Sequence, residues 1–201
     1  MPYSQFSSLR AVKKQFGLAE KNVSLFPAIE PVQPSAWLSE TLSYVLSKKI
    51  AFVSEKSRSE GIVFPVLLEM ERRNPERFSL YSGVTIEADK DKGLNGECDF
   101  VLSRGEQSLE LSTPVFCIVE AKDNDLELGV PQCVAQLVGA QIFNEQEGNV
   151  VPFIFGGVTT GDTWLFLKLE GTTVFIDNKY FYIANLNELL GMLQTIVYQY
   201  N

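Results

Sequence analysis

The chain predicts an α/β fold, a central mixed β-sheet flanked by helices. Two observations point there. Apolar runs of strand length alternate with stretches of helical period, in the order helices, three strands, a helix, more strands and a terminal helix. A composition of 45% apolar and 11% aromatic residues over 201 positions supports one well-filled core rather than a disordered chain.

Each element has its own warrant. Residues 4–16 form a short amphipathic helix, with Phe6, Leu9, Val12 and Phe16 roughly on one face. Pro27, Pro31 and Pro34 make 22–34 an extended connector. Ser35 is placed to cap a helix over AWLSETLSYVLSKKI. A second helix runs over about 55–73, and its second half is apolar on most sides, which puts it deep in the core. The period then changes. FSLYSGVTIEA, ECDFVLS and TPVFCIVEAK read as successive strands, the first two joined by the turn KDKGLNG. A helix over GVPQCVAQLVGAQIFNEQEG ends near Gly148. PFIFGGVTT, TWLFLKLE and TTVFI return to strands, and a short strand and a helix close the chain. Residues 1–34 thus read as an N-terminal helix and Pro-containing connector, and 35–201 as a single α/β domain.

Composition removes several chemistries. The chain has no histidine, which excludes a Ser-His-Asp triad, a Cys-His dyad, an HExxH zinc site and an HNH-type nuclease. Cys98, Cys117 and Cys133 form no CxxC pair, their odd number argues against a disulfide framework, and two lie in apolar strand sequence as inert thiols. No apolar run is long enough to span a bilayer, and the N-terminal residues lack a signal-peptide segment. A cytoplasmic protein with no membrane partner is expected.

What remains is carboxylate and lysine chemistry. Asp99 lies in ECDFVLS, and Glu120-Ala121-Lys122 ends the run VFCIVEAK. Glu120 and Lys122 are two apart, so on a strand they share a face. Two carboxylates and one ammonium gathered at strand ends suit a metal-dependent phosphodiesterase. The carboxylates hold Mg²⁺, and the lysine steadies the attacking water or the developing charge. Without such chemistry, Glu120 and Lys122 would be a salt bridge at a strand end and Asp99 a carboxylate beside the Gly96 turn. That reading costs most at Glu120, because a charge directly after VFCIV needs a partner or a metal.

This pattern resembles the PD-(D/E)xK nuclease superfamily, with its restriction-endonuclease-like fold. Its members carry an Asp on one core strand and (Asp/Glu)-x-Lys on the next, before a core helix. The matching residues are Asp99, Glu120, Ala121 and Lys122, with Cys98 where the proline of the family's name would stand. The resemblance covers about residues 55–160. It implies a glutamate on the first core helix, where Glu60 fits best. Glu69 competes, nine residues on and about 180° around an ideal helix. It also implies glutamines on the helix after the lysine, where Gln136 fits best and Gln132 lies one turn earlier. A second match, Asp177-Asn178-Lys179 with Asp162 upstream, is rejected because both parts read as turns, Asp177-Asn178 as a hairpin.

The resemblance implies hydrolysis of phosphodiester bonds, most naturally in DNA, with Mg²⁺ or Mn²⁺ on Asp99, Glu120, the Ala121 carbonyl and Glu60. Lys122 would orient the water or offset charge, and Gln136 would hold Lys122 or a phosphate oxygen. A homodimer would let two such sites cut two strands. The net charge of −8 points the other way. It favours a non-catalytic binding or complex subunit of the same fold. Basic residues nevertheless cluster at Lys48, Lys49, Lys56 and Arg58, and at Arg72, Arg73 and Arg77.

Overall fold

The computed structural model describes residues 3–104, 108–123 and 125–200. The strands are β1 (Ala19–Val23), β2 (Ser79–Asp89), β3 (Leu94–Ser103), β4 (Val115–Ala121), β5 (Ile154–Thr159), β6 (Thr163–Glu170) and β7 (Thr173–Tyr182). They form one mixed sheet in the order β1-β7-β6-β5-β4-β3-β2. The expected α/β class, a mixed sheet flanked by helices, is what the chain adopts.

Connectivity explains the sheet. β2, β3 and β4 run as an antiparallel meander. β4 and β5 are parallel neighbours, and parallel neighbours need a long crossover. Helix α5 (Leu126–Gln146) supplies it. β5, β6 and β7 form a second antiparallel meander. β4, an interior strand beside the central β5, is buried at all seven positions, as a strand covered on both faces must be. That burial is why VFCIVEA reads as a continuous apolar run rather than an alternation.

Two apolar layers cover the sheet. On one side lie α2 (Ala36–Ser47), α4 (Phe64–Arg73) and α6 (Leu186–Tyr198), whose Leu38, Val66, Leu67 and Leu193 pack with Phe116, Phe155, Trp164 and Phe166. On the other, α5, the N-terminal α1 (Leu9–Phe16) and the 3₁₀ turn before it bring Val134, Leu137, Val12 and Tyr3 against Ile118, Val158 and Leu167. Ser35 caps α2 as expected, its hydroxyl accepting from Leu38 N at 3.2 Å. No helix among the described residues is long and apolar enough to cross a membrane.

Four departures from the sequence reading have physical causes. The first helix begins at Leu9, because the Ser8 side chain caps it, and a 3₁₀ turn holds Tyr3–Gln5. Asn22 and Val23 do not begin a connector. They belong to β1, which pairs in parallel with β7, a polar edge strand whose AEKNV carries no apolar alternation to announce it. The helix over 55–73 is interrupted. A four-residue α3 (Glu55–Arg58) passes through a π turn (Ser59–Val63) into α4. Phe64 N–H reaches back five residues to Ser59 O, and Pro65, which lacks an N–H and crowds the carbonyl four residues back, follows at once. Finally, Asp177-Asn178 is not a hairpin turn. It lies inside the continuous β7, where the pairing with β6 shifts from Leu167–Ile176 to Leu165–Tyr180 and leaves a bulge.

Candidate functional site

The site sits where β3 and β4 part. Their ladder ends at the pair Phe100–Val119. One step further Asp99 stands across from Glu120, and its Oδ2 accepts the backbone N–H of Ala121 at 2.7 Å. A carboxylate thus takes the place of a strand partner. On the other side, β2 pairs through Ser82–Phe100 and Val84–Cys98. Between them Gly83 adopts φ +64°, a left-handed conformation that glycine tolerates best. The bend lies directly opposite Asp99.

Glu120 and Lys122 face α5, as the two-residue rule requires. Glu120 is 2% exposed. Its Oε1 receives Lys122 Nζ at 2.6 Å, and its Oε2 receives Gln136 Nε2 at 2.7 Å. Gln136 is itself fully buried, and its Oε1 has no hydrogen-bond partner among the described residues. The strand end is held by Lys122 N–H donating to Thr159 O at 2.7 Å, which prolongs the β4–β5 ladder. The lysine stem crosses α5 at Gly129. A Cβ there would stand 3.0 Å from Lys122 Cγ and 2.5 Å from Val158 Cγ1. Nothing in the sequence pattern marked Gly129 beyond its being a glycine near a helix start.

The helix side of the site differs from the sequence reading in its detail. A cavity of about 290 Å³ is lined by Glu55, Lys56, Glu60, Gly83, Glu97 and Asp99 among others. Glu60 lies on its rim, 69% exposed and 3.8 Å from Lys56. Glu55, one turn earlier and unremarked in the sequence, is the helix carboxylate whose charge acts on both Asp99 and Lys122. Glu69 is placed elsewhere. It is buried, accepts from Ser35 N at 2.9 Å and from Ser35 Oγ at 2.7 Å, and pairs with Arg73 at 2.7 Å. It ties α4 to the start of α2. Arg58, which the sequence marks only as part of a basic cluster, donates to Asp123 Oδ1 at 3.3 Å, Thr160 O at 3.3 Å and Asp162 Oδ1 at 3.5 Å. It fastens the Glu55 helix to the segment that follows Lys122.

The second Asp-x-Lys is built differently. Asp177 Oδ1 accepts Lys179 N–H at 3.1 Å, and Lys179 Nζ pairs with Glu188. Among the described residues, no second carboxylate faces it across the strands as Asp99 faces Glu120. Asp162 is engaged by Arg58 at a turn, as its sequence context indicated.

The electrostatics of the cluster follow from burial. Burial raises the Asp99 pKa, the Ala121 N–H and Lys122 oppose this, and Glu55 and Glu97 add to it. Burial, then the charge of Asp99, pushes Glu120 up to about 7 against the pull of Lys122 and Gln136. Burial works against the Lys122 charge, but Glu120 overrides it, with Glu55 and Asp99 adding, and raises the lysine pKa. Two carboxylates crowded in a dry place hold a surplus of negative charge. A cation relieves that surplus.

The donor chemistry suits a hard divalent ion. Asp99 and Glu120 offer carboxylate oxygens, and Glu55 adds negative charge from across the cavity. Among the described residues no group of three or more His, Cys, Asp or Glu is gathered closely enough to enclose a metal by itself. Mg²⁺ does not demand that. It is commonly held by one or two carboxylates, with water and substrate phosphate completing the shell. Comparison with family models, with curated proteins and with solved structures gives no match for this chain.

Proposed function

We propose that the chain is a metal-dependent phosphodiesterase of the PD-(D/E)xK class acting on nucleic acid, in a restriction-endonuclease-like variant of the α/β fold. One observation carries this reading. Asp99 and Glu120 meet across adjacent strand ends, with Lys122 bonded to the buried, charge-strained Glu120. The order of parts supports it as well. A helix with Glu55 and Glu60 precedes the meander, Asp99 is on its second strand, Glu120-x-Lys122 ends its third, and α5 with Gln136 follows.

Asp99, Glu120 and the Ala121 carbonyl are the groups that would hold Mg²⁺ or Mn²⁺, with Glu55 or Glu60 reaching it directly or through water. Bound there, the ion supplies a water of lowered pKa and stabilises charge on the scissile phosphate. The remaining work belongs to the protein. Gln136 fixes the Glu120 carboxylate, Gly129 lets the Lys122 stem pass, and Lys122 places an ammonium where the nucleophile and the phosphate charge develop. DNA is the proposed substrate, and a dimer would act on two strands.

The alternative is a non-catalytic subunit of the same fold. The net charge of −8 favours it, since a nucleic-acid enzyme gains from an excess of Lys and Arg. Plasmid nicking in Mg²⁺ or Mn²⁺ separates the two. Nicking by the wild type that is lost in Lys122→Met supports the enzyme. Nicking that persists undiminished in Lys122→Met overturns it.

A further inference from the structure

Beside the carboxylate cavity lies a surface of opposite character. The segment from Lys48 to Val53 leads from α2 into α3. Along it Ile50, Phe52 and Val53 remain exposed, Phe52 at 42% and Val53 at 80%. Three large apolar side chains in four residues, left in solvent, mark a contact surface rather than scattered exposure. Lys48 and Lys49 are exposed and form no salt bridge among the described residues, while Lys56, 83% exposed, lines the cavity itself. The other basic cluster is occupied. Arg72 lies over Trp37, Arg73 pairs with Glu69, and Arg77 lies over Tyr198. In a chain of net charge −8, Lys48 and Lys49 stand a few residues before the helix that carries Glu55 and Lys56 on the cavity wall, whereas exposed Lys14 lies apart on α1.

Phe52 is held for stacking. The Arg58 guanidinium lies over its ring at 5.2 Å from the centroid. That same guanidinium is anchored to Asp123, Thr160 and Asp162. One face of the ring is covered by the guanidinium, and the side chain as a whole is 42% exposed. A fixed aromatic flanked by lysines is the combination that holds unpaired nucleotides, with bases on the ring and phosphates on the ammonium groups. A paired base inside a duplex has no free face to offer it. Two other exposed aromatics, Tyr180 and Tyr182, line a cavity at the start of α5. Its neighbours Asp125 and Glu127 are acidic and would repel phosphate.

We infer that Phe52, with Lys48, Lys49 and Lys56, forms a platform that binds unpaired nucleic acid and leads it to the Asp99 cavity. This rests on the nuclease reading and narrows its substrate to a single strand, a flap or a frayed end.

The test is fluorescence anisotropy of a labelled oligothymidylate and a blunt hairpin duplex with the full chain in Ca²⁺ buffer. The single strand is expected to bind more tightly than the duplex. Phe52→Leu, which keeps an apolar side chain, should weaken that binding about tenfold, and Phe52→Tyr should restore it. Lys48→Ala with Lys49→Ala should flatten the salt dependence, by about 0.7 in slope for each phosphate left without its ammonium partner. Equal binding of strand and duplex, or indifference to Phe52→Leu, overturns the platform. If metal-dependent duplex nicking survives that result, the nuclease reading stands without it. If the strand binds through Phe52 but no nucleic acid is cut in Mn²⁺, the platform stands and the enzyme reading falls.

Discussion

Lys122 donates to Glu120 at 2.6 Å from the same strand end, so three consecutive residues supply both a buried carboxylate and the cation beside it. The pair is unequal. Glu120 is 2% exposed and Lys122 19%. The lysine reaches solvent, whereas the glutamate is shielded from it.

Glu120 makes stability depend on pH. Its folded-state pKa, about 7, lies above the ordinary carboxylate value of 4.5. Between those values the folded protein binds more protons than the unfolded chain, so stability falls as pH rises through the window and the deficit is complete above it. Glu120→Gln removes this group. Urea unfolding at pH 5 and pH 8 should show the variant gaining on wild type by about 2 kcal/mol across that interval. A constant difference at both values contradicts the strain on Glu120.

Lys122→Met keeps most of the stem and removes the charge. Cleavage should fall by at least about a hundredfold, because the group acts where charge develops. The loss of stability should be pH-dependent. At pH 8 the buried Glu120 loses its cation and keeps only the Gln136 amide, which costs about 3 kcal/mol, while at pH 5 it is protonated and the cost largely disappears. Nicking assays and paired unfolding curves check both statements.

Gly129→Ala tests the fit of the lysine stem. The new Cβ would meet Val158 at 2.5 Å and Lys122 Cγ at 3.0 Å, inside a helix packed on the sheet. A destabilisation of about 1–3 kcal/mol is expected from overpacking. Residual protein should cut more slowly than its folded fraction explains. Activity that tracks the folded fraction alone would remove Gly129 from the positioning of Lys122.

The helix carboxylates separate by charge effect. Glu55→Gln should weaken Mn²⁺ binding about tenfold, the scale of an outer ligand, while Glu60→Gln stays within about threefold. Glu69→Ala should leave metal binding intact. It loses hydrogen bonds to Ser35 and a pair with Arg73, and should cost about 2 kcal/mol of stability. Calorimetry of the three variants distinguishes them.

The sequence disclosed the site where backbone geometry leaves little freedom. The strand period placed Glu120 and Lys122 on one face, and the apolar run before Glu120 marked a charge that needs partners. An antiparallel meander brings Asp99 across from Glu120, and the Gln136 amide follows from its place on the helix that packs on that strand. What was not legible depended on phase or on neighbours distant in sequence. The π turn between Ser59 and Val63 shifts the helical phase, so spacing on an ideal helix gave no access to Glu55. The anchors of Arg58 lie 65 to 104 residues away. β1 is polar and at an edge, with no buried face to impose alternation. The bulge in β7 imitates a hairpin because Asp-Asn favours turns, yet the strand continues through it.

Calorimetric titration of Mn²⁺ into the wild type and into Asp99→Ala decides whether the cluster is a metal site. Saturable binding is expected in the wild type and is lost in the variant. Absence of binding by the wild type at millimolar Mn²⁺, or undiminished binding by Asp99→Ala, would contradict a metal site there.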